Sequence, residues 1–220
     1  MKKMAIFAAT MDDRRYIESL VAEGEHQRQD FKYKITDALK LAKSVSAFAN
    51  TDGGRLLIGI RDDGHVSGVR SEEEIYMMHA AAWKFCQPEA SIKFDTYHVD
   101  GRTVVVATVP PSERKPIYAL DEQGRRTAYI RIADENIVAS PVHIQIWREE
   151  MSPKGTYITY TDAEQRFIRQ LSEQPRQSLS QIINHSQLPR KKVVVILARL
   201  IRYEVAIWEL SDHRFLFSLR

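Results

Sequence analysis

Residues 47–69 read AFANTDGGRLLIGIRDDGHVSGV and set an acidic pair, Asp62-Asp63, at the mouth of an apolar run that follows two glycines. Carboxylates in such a place serve a metal or a turn. Gly64 directly after them favours the turn, because Asp accepts turn geometry and glycine supplies positive φ. Gly53-Gly54 invite comparison with phosphate-binding loops. The segment is too short to wrap a triphosphate and no Gly-x-x-x-x-Gly-Lys-Ser/Thr sequence occurs, so ATP is not an expected ligand. The other chemically capable group is basic. LPRKKVVVILARLIRYE places Arg190, Lys191 and Lys192 where a helix begins, with Arg199 and Arg202 further along it. The seven histidines show no paired metal spacing. Cys86, the single cysteine, excludes an intrachain disulfide and a cysteine-based zinc site.

The elements that must carry these groups follow from periodicity. Tyr16, Ile17, Leu20 and Val21 predict a short helix ending at Gly24, after a tail over residues 1–15. QDFKYK alternates weakly, as a strand does. Ile35, Ala38, Leu39, Ala42, Val45 and Ala49 recur at steps of three and four, so a helix over 35–50 is expected, ended by the turn from Asn50 to Gly54. RLLIGI reads as a buried strand and DDGHVSGV as a turn into a second short one. Ser71 and Glu74 have the spacing of a capping box for a helix to about Cys86. Two hairpins are expected next, IKFDTYHV with RTVVVATV around Asp100-Gly101, and PIYAL with TAYIRI. A short helix over 141–150 would pack Ile144, Ile146 and Trp147.

SPKGTYITY, residues 152–160, reads as a linker. Beyond it, helices are expected over about 161–173, 178–186 and from Pro189 to about Tyr203, then a hairpin of VAIWEL and FLFSL turning at Asp212-His213. Three helices and a terminal hairpin are the pattern of a winged helix-turn-helix. Residues 152–220 hold 11 Lys+Arg and 6 Asp+Glu, a net of +5, whereas the rest of the chain is at −2. A polyanionic partner is therefore expected for the C-terminal part alone. Recognition helices present their first turn to the major groove, so Arg190, Lys191 and Lys192 are the expected contacts to nucleic acid. Arg199 and Arg202 along the helix, and His213 and Arg214 at the wing turn, complete that set. No apolar segment approaches the ~20 residues of a membrane span. MKKMAIFAAT runs straight into Asp12-Asp13 and does not read as a signal peptide. With one cysteine, a cytoplasmic protein without a membrane partner is expected.

GEHQRQDFK (24–32), SAFANTDGGRLLIGIRDDGHVSGV (46–69), and VPPSERKPIYA with AYIRI (109–119 and 128–132) resemble the Schlafen AlbA-type domain, once labelled a divergent AAA domain. The resemblance covers about residues 16–140. It implies an α+β protein, a mixed α/β Schlafen AlbA-like domain over 16–151 with the winged-helix domain over 161–220. That arrangement is common in bacterial members, many described as transcriptional regulators. In nuclease members the active carboxylates are the Glu of Gly-Glu, the acid before Phe-Lys, and the Asp after the apolar strand. Carried over by motif, these are Glu25, Asp30 and Asp62, which would hold Mg or Mn ions to activate water, with Lys32 against the phosphate. Two departures stand out: Asp30 replaces the usual Glu, and RIADEN replaces the usual Arg-x-Gly-Ser.

The reading that follows leans away from an enzyme. It is a regulator bound to double-stranded DNA, whose first domain forms a homodimer or senses a ligand. The alternatives are a metal-dependent RNA nuclease and a nucleotide-binding or protein-interaction module without catalysis.

Overall fold

The computed structural model describes residues 13–152 and 161–220. It divides into two compact units, Met1–Val138 and Ala139–Arg220. The division falls before the segment 152–160, of which 153–160 lie outside the described residues. No helix among the described residues is long and apolar enough to cross a membrane.

The first unit is built on a helix, α2 (Ala38–Asn50), set between two sheets. One sheet has the order β1 (Gln29–Lys32), β2 (Gly54–Ile58), β5 (Arg102–Val109), β4 (Lys93–Val99). Its β1 runs parallel to β2 and its other pairs are antiparallel. Both faces are covered. Leu57, Val104, Val106 and Phe31 pack with Ile17 and Leu20 of α1 (13–22). Leu56, Ile58, Val105 and Ala107 pack with α2 and with α3 (Glu72–Trp83). Burial on two faces is why RLLI and VVV are apolar without alternation. The second sheet, β3 (Cys86–Gln87), β6 (Tyr118–Leu120), β7 (Arg126–Ile132), β8 (Glu135–Val138), sets Ala119 and Tyr129 against the same cluster around α2. The β4–β5 hairpin turns at Asp100 and Gly101, with φ of 49° and 75°. Two consecutive positive φ values are what a two-residue hairpin turn of the right twist requires.

Two local expectations fail here. Ser71 makes no side-chain cap on α3. Glu74, the residue expected to complete the box, is buried and accepts from the amides of Ile35 and Arg70 instead. The segment after β2 gives a single bridge, Ile60 with Val66, and not a strand. The amides of Ser67 and Gly68 both donate to Gly59 O, which folds the segment back onto the end of β2.

The second unit contains α4 (Pro141–Glu150), α5 (Asp162–Glu173), β9 (Gln177–Ser178), α6 (Leu179–Ser186), α7 (Arg190–Arg202), and the hairpin β10 (Ala206–Ser211) and β11 (Arg214–Leu219). β9 adds to β11 as a third antiparallel strand. Thr161 with Glu164 and Ser178 with Gln181 form capping boxes that open α5 and α6. The core joins Phe167 and Leu171 of α5, Ile182 of α6, Val193, Ile196, Leu197 and Leu200 of α7, and Phe217 of β11. Helix α4 enters this core through Val142, with Ile146 packed against it. Trp147 is buried as expected, and Val142 and His143 take the inward place expected of Ile144.

His143 is the polar member of this packing. Its ring lies 4.7 Å from Trp208 and 4.8 Å from Phe215, both edge-on. Nδ1 accepts from the amide of Ser140 and lies 2.7 Å from its hydroxyl, so the neutral ring carries its proton on Nε2, which is buried without a partner. Burial lowers its pKa from 6.5 to about 4. The folded value lies below the unfolded one, so the contribution to stability is complete above pH ~6.5 and is lost as pH falls toward 4. Thermal or urea melts of the protein are expected to lose on the order of 1 kcal/mol per pH unit across that window from this group. His143→Leu should flatten that limb. An unchanged acid limb in the variant would show that another group causes it.

Candidate functional site

The AFANTDGG motif positions the centre of the first unit. Ser46, Asn50 and Thr51 lie along one side of α2 and its C-terminus. Asn50 Oδ1 accepts from Ile117 N at 2.7 Å, and its Nδ2 donates to Ile117 O at 2.8 Å and Tyr129 O at 2.9 Å. The side-chain amide thus pairs with a backbone as a neighbouring strand would. Ser46 Oγ donates to Ile117 O and accepts from Tyr129 N. Thr51 Oγ1 donates to Ala47 O and accepts from Arg131 N at 2.9 Å. These bonds satisfy backbone groups of the second sheet that would otherwise be buried unpaired. The glycines that follow are equally committed. A Cβ on Gly54 would clash with the Phe48 ring, and one on Gly53, at φ +70°, would meet Pro111 and Val109 O. The motif is packed against protein and offers no open backbone cradle to a triphosphate.

Arg131 follows on β7, fully buried. Its guanidinium lies 3.3 Å from Asp30 Oδ1, donates to Gln29 O and Asn136 Oδ1, and stands 5.2 Å over the Phe48 ring. Lys32 Nζ lies 2.5 Å from the other oxygen of Asp30. Glu25 is the third acid-base partner. As a residue it is exposed, but its carboxylate accepts from Phe31 N at 2.8 Å and adjoins Asp30. Desolvation raises its pKa, the Phe31 amide opposes that, and the nearby Asp30 adds to the rise. Asp30 therefore meets both cations, and Glu25 is influenced by Lys32 alone.

Asp62 is not part of this group. It is exposed and lines an open depression of about 360 Å³ with Tyr33, Arg61 and Asp63. Asp63 Oδ1 accepts from His65 N, and Gly64 N donates to Arg61 O, so Asp63 and Gly64 close the turn. Among the described residues no three His, Cys, Asp or Glu side chains gather so as to hold a metal ion. Glu25, Asp30 and Asp62 do not fit a divalent centre, because the charge of Asp30 is already matched by Lys32 and Arg131 and Asp62 stands apart. Lys32, expected against a phosphate, is the ion partner of Asp30. Cys86 is buried, donates to Ala42 O at 3.7 Å, and has its pKa pushed up to about 12 by burial, which leaves it a core residue.

In the second unit Arg190, Lys191 and Lys192 are all exposed in the first turn of α7. Arg214 and His213 are exposed at the β10–β11 turn, where Asp212 and His213 have φ of 48° and 57°. Arg199 and Arg202, expected along the same helix, face α4. They lie 3.8 Å and 3.4 Å from the Glu149 carboxylate and hold α7 to α4. Both arginines fall on the α4 side of the helix, away from its first turn. Gln187 ends α6 with φ 54° and Pro189 opens α7, so the α6–α7 connection is short and fixed.

Sequence reasoning passed over Arg131 and Asn136. Arg131 stood inside AYIRI, a motif quoted for the resemblance without a role for its arginine. Asn136 joins the guanidinium to Ser44 of α2 from within the segment that replaces Arg-x-Gly-Ser. In that segment Ala133 takes φ 52°, the left-handed conformation that the usual glycine would hold without strain.

Two sheets around α2, with a buried arginine–aspartate pair at their junction, make the first unit an α+β domain organised by AFANTDGG and AYIRI. The Schlafen, AlbA_2 family model matches residues 25–140, more than half of the 220-residue chain, and the chain belongs to that family. No curated protein matches the chain. Among solved structures, the DIP2311 protein from Corynebacterium diphtheriae is similar over 98% of this chain, at 17% identity and a TM-score of 0.47. The chain spans 39% of that protein's length. The N-terminal domain of an ATP-dependent DNA helicase RecG-related protein from Nitrosomonas europaea is similar over 54% of this chain and 86% of its own. The identity there is 24% and the TM-score 0.41.

Removing one member of a buried pair costs about 3–5 kcal/mol where the other is left uncompensated, and with Lys32 still beside Asp30 the loss here falls toward the lower end. Arg131→Met is expected to lower the urea unfolding free energy by that order. Adding Asp30→Leu to it should recover part of the loss, since an apolar replacement removes both charges. A loss below ~1 kcal/mol for Arg131→Met would mean that the pair does not hold the sheets together.

Proposed function

We propose that the chain is a transcriptional regulator that binds double-stranded DNA through its second unit, read as a winged helix, while the AlbA-type unit pairs chains or senses a ligand. The observation that carries this is the opening turn of α7. Three cations, Arg190, Lys191 and Lys192, are exposed side by side at a helix N-terminus. The helix dipole makes that end electropositive and repels them, so the arrangement is unfavourable to the isolated fold. A phosphate backbone relieves the repulsion and is itself favoured by a helix N-terminus. Asn184, His185 and Gln187, exposed just before the turn into α7, supply polar groups able to read base edges. Arg214 and His213 at the hairpin turn reach a flanking phosphate or groove, as wings do. The net charge of +5 over residues 152–220 supports the same partner.

Neutralising the triplet, Arg190→Gln with Lys191→Gln and Lys192→Gln, is expected to weaken duplex binding at all sequences. It should also reduce the slope of log K against log salt by about 0.9 for each phosphate no longer neutralised. Fluorescence anisotropy on a labelled duplex at several salt concentrations measures it. Arg202→Gln, whose partner is Glu149, should leave the slope unchanged. Equal slopes for the triplet variant and the wild type would remove α7 from the interface.

A further inference from the structure

Helix α3 departs from the pattern of a surface helix. Its inner side carries Glu74, Met78, Ala81 and Ala82, all buried. An amphipathic helix would place polar residues on the other side. Here the outer side shows Ile75, Tyr76 and Trp83, with Tyr76 62% and Trp83 63% exposed. His79 lies between them, its ring 4.4 Å from that of half-buried Phe94 on β4 and tilted 54° to it. Tyr76, His79 and Trp83 follow at i, i+3 and i+7, so they form one stripe along about two turns. Large aromatic side chains left in water on one helix are a signature of an interface.

The charges on α3 indicate what covers the stripe. Glu72 and Glu73 lie at its N-terminal end and Lys84 follows its C-terminal end. Lys84 sits over the Phe85 ring, 5.5 Å from its centre. A helix with acids at one end, a base at the other and aromatics between is complementary to itself when two copies run antiparallel.

We infer that α3 is the self-association surface of this protein, pairing antiparallel with α3 of a second copy about a two-fold axis near His79. In that arrangement Tyr76 of each copy meets Trp83 of the other, and Glu72 and Glu73 of each copy face Lys84 of the other. The twelve residues of α3 span about 18 Å, so the contact sits at the small end of specific interfaces and the dimer dissociates in the micromolar range. This deepens the reading in which the AlbA-type unit pairs chains. The readout below involves no DNA, so the pairing and the DNA reading can fail separately.

The test is sedimentation of the full chain over a range of micromolar concentrations. The wild type should show a reversible monomer–dimer equilibrium. Trp83→Glu should raise the dissociation constant at least tenfold, as loss of a large aromatic anchor does. All the substituted side chains are exposed, so circular dichroism and urea unfolding should match the wild type. Charge reversal gives the decisive arm. Lys84→Glu alone, and Glu72→Lys with Glu73→Lys alone, should each be monomeric, because each makes both ends of α3 the same sign. An equimolar mixture of the two should regain the dimer, since opposite charges then meet at both ends. A wild type that stays monomeric throughout overturns the inference. So does a dimer that survives Trp83→Glu and both charge reversals, or a mixture that fails to pair.

Discussion

The contact between Arg131 and Asp30 is the constraint around which the AlbA-type unit is built. Desolvating a guanidinium costs several kcal/mol, and that is tolerable only where its charge and donors meet partners on most sides. The partners come from β1, from β8 and from the face of Phe48 on α2. One side chain thus ties both sheets to the helix between them. It also gives a physical role to the acid before Phe31. In the register of β1 on β2, Asp30 pairs with Leu56 and Phe31 with Leu57. Alternation therefore sends Phe31 to the α1 face and Asp30 to the α2 face, where Arg131 waits. The shorter Asp, which departs from the usual Glu, is here fitted between Lys32 and Arg131.

The same logic covers the polar letters of AFANT. A helix packed against a sheet edge buries backbone groups that need partners, and Ser46, Asn50 and Thr51 supply them. A motif of this kind looks like a ligand site in a sequence, because Asn, Thr and Asp beside two glycines are also what phosphate sites use. The structure distinguishes the two by what the donors face. Asn50 faces the backbone of Ile117 and Tyr129, and Gly54 faces the ring of Phe48.

Much of the fold was legible because period and turn chemistry are local. The three- and four-residue steps of Ile35 to Ala49, the continuous apolar run of RLLI, Asp100-Gly101 and Asp212-His213 each announce their element within a few residues. Short strands were not legible. β3 and β9 are two residues long and exist because a partner strand passes by. The capping box at Ser71 failed for a related reason: Glu74 serves the amide of Ile35, thirty-nine positions earlier, which spacing alone cannot reveal. At the site, the neighbourhood of Glu25 and Asp30 was anticipated, but the cation between the sheets was not, since Arg131 is a hundred residues away along the chain. For Arg199 and Arg202, helical phase says which side they occupy, not that Glu149 of α4 lies there.

The central claim is that the acids of the AlbA-type unit hold the fold together and do not hold a metal. The direct measurement is a calorimetric titration of manganese into the wild-type chain, repeated with Asp30→Asn. The account predicts no saturable binding that depends on Asp30, because Lys32 and Arg131 already neutralise that carboxylate. A saturable site that disappears with Asp30→Asn, in a variant that remains folded, would contradict it.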